Sequence, residues 1–104
     1  MTIQKATSIV LKYIATVRKH QIPVDAVYIF GSQVKQTAHT WSDIDTCVVS
    51  KVFGKDRHTE RVALMHLTNN ETRDIEPHPF SPEDFADKYD PLASEIRKYG
   101  IRVV

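Results

Sequence analysis

The sequence contains little cysteine and no long apolar segment. Cys47 is the single cysteine among the 104 residues, so the chain can form no internal disulfide. Its place in a predicted strand indicates a reduced, buried thiol. No apolar run approaches the roughly 20 residues that a membrane-spanning helix needs, and the segment after Met1 lacks the apolar core of a secretory signal. We therefore expect a cytoplasmic protein without a membrane partner.

Basic residues are not concentrated anywhere in the chain. The 14 Lys and Arg residues nearly balance the 13 Asp and Glu residues, which leaves a formal net charge of +1. A protein that follows a nucleic-acid backbone needs a basic patch or stripe, so this distribution argues against a nucleic-acid partner. A mononucleotide stays compatible with it, because a metal ion and a few local donors can balance the phosphate charge.

The length of the chain leaves room for one domain. A chain of 104 residues can bury a real hydrophobic core but offers no material for a second lobe. Repeats and low-complexity segments are absent from the sequence. We expect a single domain over residues 1–104.

Hydrophobic periodicity and turn signals predict helices and strands along the whole chain. Apolar residues recur with helical spacing from Thr2 to Arg18, with Thr2 as the N-cap, and again from Asp56 to Asn69. Ser81-Pro82 and Asp90-Pro91 each combine an N-cap residue with a proline at the first helical position. Strands are predicted over 26–30, 42–49, 72–76 and 101–104, with a short helix over 33–38. This order predicts a mixed sheet layered with helices.

The end of the first predicted strand has residues suited to phosphate. The apolar run Ala26–Phe30 reaches Gly31-Ser32, where the chain must turn sharply. Glycine leaves room for a ligand against the backbone. Ser32 can cap a following helix, whose free N–H groups and positive dipole end suit a phosphate. The turn therefore predicts a phosphate-binding position.

Two aspartates follow Ser32 after ten intervening residues. Asp43 and Asp45 begin the second predicted strand, and alternation places them on the same face roughly 6–7 Å apart. Two carboxylates this close repel each other unless a cation lies between them. Mg²⁺ in proteins is held by one or two carboxylates, with water and substrate phosphates completing its shell. The pair therefore predicts a magnesium site.

A third acidic segment lies further along the chain, over Thr72 to Pro77. Because prolines bound this segment, we predict a strand that ends at Glu76. Alternation places Asp74 and Glu76 on the same face, and either of them can point towards the two aspartates. The residues alone leave both open, together with the alternative that both acids are solvated on an edge strand.

The Gly-Ser turn, the ten-residue spacing and the Asp-x-Asp motif resemble the pattern of the DNA polymerase beta-type nucleotidyltransferase superfamily. The similarity is strongest to its smallest members, the minimal nucleotidyltransferases. It extends through most of the chain, in the segments Phe30-Gly31-Ser32, Thr37-Ala38, Trp41-Ser42-Asp43-Ile44-Asp45, Val48-Val49-Ser50 and Ile75-Glu76-Pro77-His78-Pro79-Phe80. The resemblance implies an α/β (α+β) polymerase beta-like palm with its carboxylates clustered on one sheet face.

The resemblance also implies roles for the acidic residues. It favours Glu76 over Asp74 as the third carboxylate, because Glu76 directly precedes the Pro-His-Pro-Phe segment. The implied catalytic residues are also the implied ligands of two Mg²⁺ ions, with Mn²⁺ as the alternative ion: Asp43, Asp45 and Glu76. The implied binding residues for a nucleoside triphosphate are Gly31, Ser32, Lys35, Asp43 and Asp45.

The implied activity is metal-dependent transfer of a nucleoside monophosphate, AMP from ATP in the first instance, to an acceptor hydroxyl. Minimal nucleotidyltransferases are often encoded with a helical HEPN-type partner and act as antitoxins by adenylylating it, so the resemblance implies a HEPN-type acceptor protein. A homo-oligomer is the alternative assembly. Gln33 and Gln36 stand where relatives place a basic residue and a glycine. These departures favour the alternative function, a non-catalytic palm-fold module that masks a partner protein.

For four further side chains we expect structural rather than functional roles. Trp41 is interpreted as a cap on its loop, with a stacking platform for a base as the alternative. We expect His78 to cap a backbone group, with contact to a phosphate as the alternative. His58 and His66 have no third ligand spaced with them, so we interpret both as surface or core-edge histidines.

Overall fold

The computed structural model describes residues 1–31, 34 and 43–104. Within these ranges four helices and four strands follow one another in the order α1 (Ile3–Lys19), β1 (Ala26–Phe30), β2 (Ile44–Val49), α2 (Arg57–Met65), β3 (Ile75–Phe80), α3 (Pro82–Ala86), α4 (Pro91–Tyr99) and β4 (Ile101–Arg102). The short helix predicted over 33–38 lies mostly outside the described residues. No described helix has the length and apolar character that a membrane span requires.

The strands form one sheet in the order β3-β2-β1-β4. β1 runs antiparallel to both β2 and β4, while β3 runs parallel to β2. The predicted mixed α/β sheet layered with helices is therefore confirmed. Only β2 and β1 have neighbours on both sides within the described sheet, so β3 and β4 are its edges.

Alternation along the strands gives the sheet two different faces. We call one the α1 face, because its side chains pack against α1; its strand residues are Val27, Ile29, Ile44, Val48 and Ile75. We call the other the α4 face, because its apolar half packs against Ala93 and Ile96 of α4; its apolar strand residues are Phe30, Cys47, Val49 and Phe80. Cys47 is fully buried there, which confirms the expected thiol environment.

Local capping signals set most of the helix starts. The Thr2 side chain accepts a hydrogen bond from the Lys5 N–H at 3.1 Å, so the predicted N-cap of α1 is confirmed. Ser81 and Asp90 cap α3 and α4 in the same way, each followed by a proline. These residues satisfy backbone N–H groups that have no partner inside the helix.

Helix α2 is shorter than the sequence indicates. Asp56 is its N-cap rather than its first residue, and the helix ends at Met65 instead of Asn69. The Asn69 N–H donates to the Thr72 hydroxyl at 2.9 Å, a local side-chain bond that draws the chain into a turn. Such bonds compete with the helical ladder wherever Thr and Asn are frequent.

The third strand differs most from the prediction. It does not end at Glu76; it begins at Ile75 and continues through both prolines to Phe80. Proline lacks the N–H that a central strand needs, but an edge strand has one free side, and β3 is an edge. The prediction was wrong because prolines signal a strand end only when the strand has neighbours on both sides.

Candidate active site

The polar half of the α4 face is built from neighbouring rows of paired residues. Phe30, Asp45 and Glu76 lie side by side on β1, β2 and β3, since the register pairs Phe30 with Asp45 and Asp45 with Glu76. One row further along, Cys47 pairs with His78. Directly opposite side chains of adjacent strands are close neighbours, so the sheet register itself brings Asp45, Glu76 and His78 together.

Gly31 closes this site on the side of β1. Its φ of +76° lies in the left-handed region, which L side chains rarely adopt. A Cβ atom built at this position would collide with the Oδ2 atom of Asp45. Glycine is therefore required both by the backbone conformation and by the closeness of the carboxylate, and the chain backbone lies directly against Asp45.

Glu76 lies among other carboxylates. Burial raises its pKa, and the nearby Asp45 and Asp43 carboxylates raise it further, because they accept a hydrogen bond from the protonated form and repel the ionised form. Asp43 precedes β2, which begins at Ile44, and is solvent-exposed. It nevertheless approaches Glu76 closely enough to contribute. Three acidic side chains thus share one small region.

Asp45 has cationic neighbours as well. The hydrogen bond to His78 is the main reason that its pKa is lowered, and the charge of Arg61 on α2 lowers it further; burial opposes both effects. The Nε2 atom of His78 lies 3.3 Å from Asp45 Oδ1. Asp45 therefore stays ionised under conditions in which Glu76 is more easily protonated.

His78 has a different role from the backbone cap that the sequence predicts. Its ring contacts the Asp45 carboxylate and packs edge-on against Phe30, with ring centroids 5.1 Å apart. Pro77 and Pro79 occupy the opposite face of β3, so His78 is directed into the site. The Pro-His-Pro sequence predicts this orientation if the two prolines are taken as strand residues, because side chains alternate between the two faces of a strand.

The residues present suit a divalent metal ion. Among the described residues, Asp45, Glu76 and His78 offer ligand atoms that all lie within 4.8 Å of one another. Two carboxylates and an imidazole suit Mn²⁺ or Zn²⁺, and carboxylates with water and phosphate suit Mg²⁺. Burial raises the pKa of Glu76 and the neighbouring carboxylates raise it further, and their mutual repulsion is the physical reason why a cation would be stabilising here.

Asp74 lies apart from this trio. It immediately precedes β3, and its backbone carbonyl accepts a hydrogen bond from the Ile44 N–H at 2.7 Å. It is not one of the three close ligand residues found in the described part of the chain. The geometry thus places Glu76 next to Asp45, in register with it, and places Asp74 in the turn before the strand.

Several predicted site residues fall outside the described residues. Ser32 and Lys35, the expected phosphate-binding residues beside Gly31, belong to this group, as do Gln33, Gln36 and Trp41. Their predicted roles stay predictions. His58 is an exposed residue on α2 and His66 is exposed at its C-terminal end, in agreement with the surface interpretation of both.

Residues 11–102 match the family described as the nucleotidyltransferase domain. No curated protein sequence matched the chain significantly. Among solved structures, a toxin-antitoxin crystal structure with AMP-PNP is similar at 20% identity and a TM-score of 0.63, covering 94% of this chain and 72% of that chain. A crystal structure from Sulfolobus solfataricus, provisionally described as a nucleotidyltransferase, is similar at 19% identity and a TM-score of 0.54, covering 79% and 68% respectively.

Proposed function

Because the chain belongs to the nucleotidyltransferase domain family, we propose that it transfers a nucleoside monophosphate, AMP from ATP in the first instance, to a hydroxyl group of a partner protein. The observation that carries the proposal is the row formed by Asp45 and Glu76, with the Gly31 backbone against one end. This arrangement places the backbone of a glycine beside carboxylates that suit the metal accompanying a triphosphate.

In the proposed reaction the acceptor oxygen attacks the α-phosphorus of the triphosphate. A new bond forms between that oxygen and the α-phosphorus, and the bond from the α-phosphorus to the bridging oxygen breaks. Pyrophosphate leaves with the electron pair, and the hydroxyl proton is taken up by a base. Glu76, which lies in register with Asp45 at the proposed metal site, is the residue proposed to help activate this hydroxyl.

Asp43, Asp45 and Glu76 would hold two Mg²⁺ ions, or Mn²⁺ in their place, and His78 is close enough to Asp45 and Glu76 to complete a ligand set. Bound metal would supply charge neutralisation at the triphosphate and stabilise the entering and leaving oxygens of the displacement. Ser32 and Lys35, which follow Gly31 in the sequence, are the proposed contacts to the phosphates.

The proposed acceptor is a HEPN-type partner protein, which would make this chain an antitoxin. The fold similarity to a chain of a toxin-antitoxin structure that contains AMP-PNP supports a partner and a nucleotide of this kind. Within the described part of the chain Glu76 is half-buried, and a docked partner would bring its hydroxyl group to this carboxylate. A closed site would restrict hydrolysis and position the acceptor.

The metal and nucleotide sites are tested by thermal unfolding with ligand. Mg²⁺ together with ATP should raise the melting temperature, and ATP with a chelator should do much less, because only the metal complex neutralises the carboxylates. The double variant Asp43→Asn, Asp45→Asn should lose this stabilisation. Glu71→Gln, on the exposed side of the molecule, is the matched control and should retain it. A full ligand-induced shift in the double variant would contradict the proposed metal site.

The acceptor is tested by intact-mass spectrometry of the protein co-expressed with the gene product encoded beside it. Adenylyl transfer should add about 329 Da to that partner, the mass of one adenylate group by atom counting. Glu76→Gln should abolish the added mass while complex formation persists, and Asp74→Asn should behave like the wild type. A stable complex whose partner is never modified would favour the masking module instead. A transfer defect in Asp74→Asn alone would move the third carboxylate to Asp74.

A further inference from the structure

A cavity of about 260 Å³ lies at the β3 edge of the sheet. It is next to the three acidic residues Asp43, Asp45 and Glu76, which we call the carboxylate cluster. Its walls come from three elements, α2, β3 and α4. Among its lining residues are Arg57, His58, Arg61, His78, Phe80 and Leu92. The lining thus combines the nitrogen donors of arginine and histidine side chains with an apolar part, Phe80 and Leu92, which we call the floor. The cavity shares His78 with the proposed metal site, while its two arginines belong neither to the proposed metal ligands nor to the proposed triphosphate contacts.

Arg61, one of the residues that line the cavity, has a hydrogen-bonding group without a partner in the described part of the chain. Its Nε atom is buried and has no hydrogen-bond partner among the described residues. A buried donor without an acceptor is costly, and more so when it belongs to a charged group. The same guanidinium lies close enough to Asp45 to lower the pKa of that carboxyl. Arg61 therefore contacts both the surroundings of Asp45 and the cavity, and its Nε–H group can still donate a hydrogen bond.

Arg57 forms a second, more rigid part of the wall. Its guanidinium carbon lies 4.4 Å from the centre of the Phe80 ring, and its Nη2 atom lies 3.7 Å from Asp90 Oδ2 and 4.0 Å from Asp84 Oδ2. These two carboxylates balance part of the Arg57 charge and hold the guanidinium in place. Arg61 is thus the main attraction for an anion, and Arg57 shapes the site around it.

The position of the cavity indicates which part of a reaction it serves. Across the sheet, Gly31 follows β1, Asp45 lies on β2, Glu76 and His78 lie on β3, and α2 with Arg61 packs against β3. Gly31, the described residue of the proposed phosphate-binding turn, marks one end of this line. The Arg61 end is on the other side of Glu76, where the attacking group must approach for an in-line displacement.

We propose that this cavity is an anion subsite for the acceptor, which binds a carboxylate or phosphate group that the acceptor carries near its reacting hydroxyl. The acceptor role rests on the proposed function, whereas the affinity for an anion follows from the cavity alone. A guanidinium binds both kinds of group through parallel hydrogen bonds. The apolar floor of Phe80 and Leu92 would pack against the carbon atoms next to the charged group.

The subsite is tested first without metal or nucleotide, by nuclear magnetic resonance of the arginine Nε–H groups in the presence of a chelator. Titration with inorganic phosphate, and separately with acetate, should shift the Arg61 Nε–H signal in a saturable way. Arg61→Gln should weaken binding by about tenfold or more, as expected for loss of a hydrogen bond to a charged group. Arg61→Lys, which keeps the charge without the planar fork, should bind with intermediate affinity.

Arg18→Gln is the matched control, because Arg18 lines a separate cavity formed with residues 21–24. It should leave phosphate binding unchanged. Two results would contradict the subsite: chemical shifts of all arginine Nε–H signals that change linearly with phosphate concentration, or a phosphate affinity of Arg61→Gln equal to that of the wild type.

A second measurement separates the acceptor from the triphosphate as the source of the anion. Phosphate should still bind at Arg61 when Mg²⁺ and a non-hydrolysable ATP analogue are present at saturation. Displacement of phosphate by the analogue would mean that the cavity holds phosphates of the nucleotide, and would overturn the acceptor assignment. If the Mg²⁺–ATP complex fails to stabilise the protein while phosphate still binds at Arg61, the proposed function fails and the anion site itself stands.

Discussion

The two faces of one sheet show how the same strands serve stability on one side and chemistry on the other. On the α1 face the strand side chains are almost all aliphatic and are covered by α1. On the α4 face the strands carry Asp45, Glu76 and His78 beside buried Cys47 and Phe80. The alternation of side chains along a strand makes this division possible, because neighbouring residues experience different environments.

Polar groups on the α1 side are satisfied internally. Tyr13 is fully buried, and its hydroxyl donates to the Leu64 carbonyl at 2.7 Å. Burial raises the pKa of this hydroxyl above its ordinary value, so it stays protonated. Thr46 is also buried, and its hydroxyl donates to the Ile44 carbonyl. Both hydroxyl groups are thus held in internal hydrogen bonds within the described part of the chain.

The α4 face is divided along its length. Its apolar end is covered by α4, and burial there raises the pKa of the Cys47 thiol to about 12, which makes it unreactive. Its acidic end lies beyond that cover and contains carboxylates whose pKa values shift in opposite directions. Pairs of groups with diverging pKa values are typical of functional sites. The strand register brings the acidic residues together at one end of the face, and α4 covers the other end.

The largest expected effect on stability comes from the α1 face. Ile29→Ala removes a fully buried side chain and should lower the free energy of unfolding by about 2–5 kcal/mol, the usual cost of such a cavity. Urea denaturation measures the change. At low temperature, where the variant is still folded, the Mg²⁺–ATP affinity should stay near that of the wild type. A large loss of affinity in the folded variant would break the proposed division between the faces.

Gly31→Ala should have a smaller effect on stability and a larger effect on the site. The left-handed φ of +76° should cost about 1–2 kcal/mol once a Cβ atom is present. The new Cβ atom would also displace the Asp45 carboxylate, so stabilisation by Mg²⁺ with ATP should be lost. Thermal unfolding with and without ligand measures both effects.

Gly54→Ala is the matched control for this variant. Gly54 also has a positive φ, +105°, but its added Cβ atom would collide with Ser81 and would reach the Asp84 carboxylate only at an ordinary contact distance of 3.4 Å, away from Asp45. It should lose stability and keep the ligand-induced shift. If both glycine variants keep the shift, Gly31 is required for the turn alone and does not position Asp45.

Features that depend on local sequence were predicted well. The bounds of β1 and the N-caps Thr2, Ser81 and Asp90 follow from residues within a few positions of one another, so nearby chemistry decides them. The closeness of Asp45 and Glu76 was also expected, although the resemblance to a family was needed to favour Glu76 over Asp74.

Features that depend on tertiary neighbours were missed. The extent of β3 depends on its being an edge strand, which no local pattern of prolines reveals. The contact between His78 and Asp45 depends on the register of β3 against β2. The influence of Arg61 on Asp45 depends on α2 packing beside β3. In each case the missing information is which element lies next to which.

The smallest expected effect is a pH-dependent change in stability caused by Glu76. In the folded protein its pKa is raised above the ordinary value of 4.5, mainly by burial and then by its carboxylate neighbours. The folded state therefore binds this proton more tightly than the unfolded state. It follows that the contribution of Glu76 to stability falls as the pH rises from the ordinary pKa through the raised one, and stays low above that window.

Glu76→Gln should remove this penalty. With a chelator present, the variant should be more stable than the wild type at about pH 8, and the advantage should shrink towards about pH 4, where Glu76 is protonated in both states. Mg²⁺ at pH 8 should reverse the ranking, because a cation turns the repelling carboxylates into ligands that the glutamine cannot replace. Urea denaturation at each pH, with Glu71→Gln as the exposed control, gives the comparison. A metal-free Glu76→Gln variant that is less stable than the wild type at pH 8 would mean that the acidic end of the α4 face carries no repulsion for a metal to relieve.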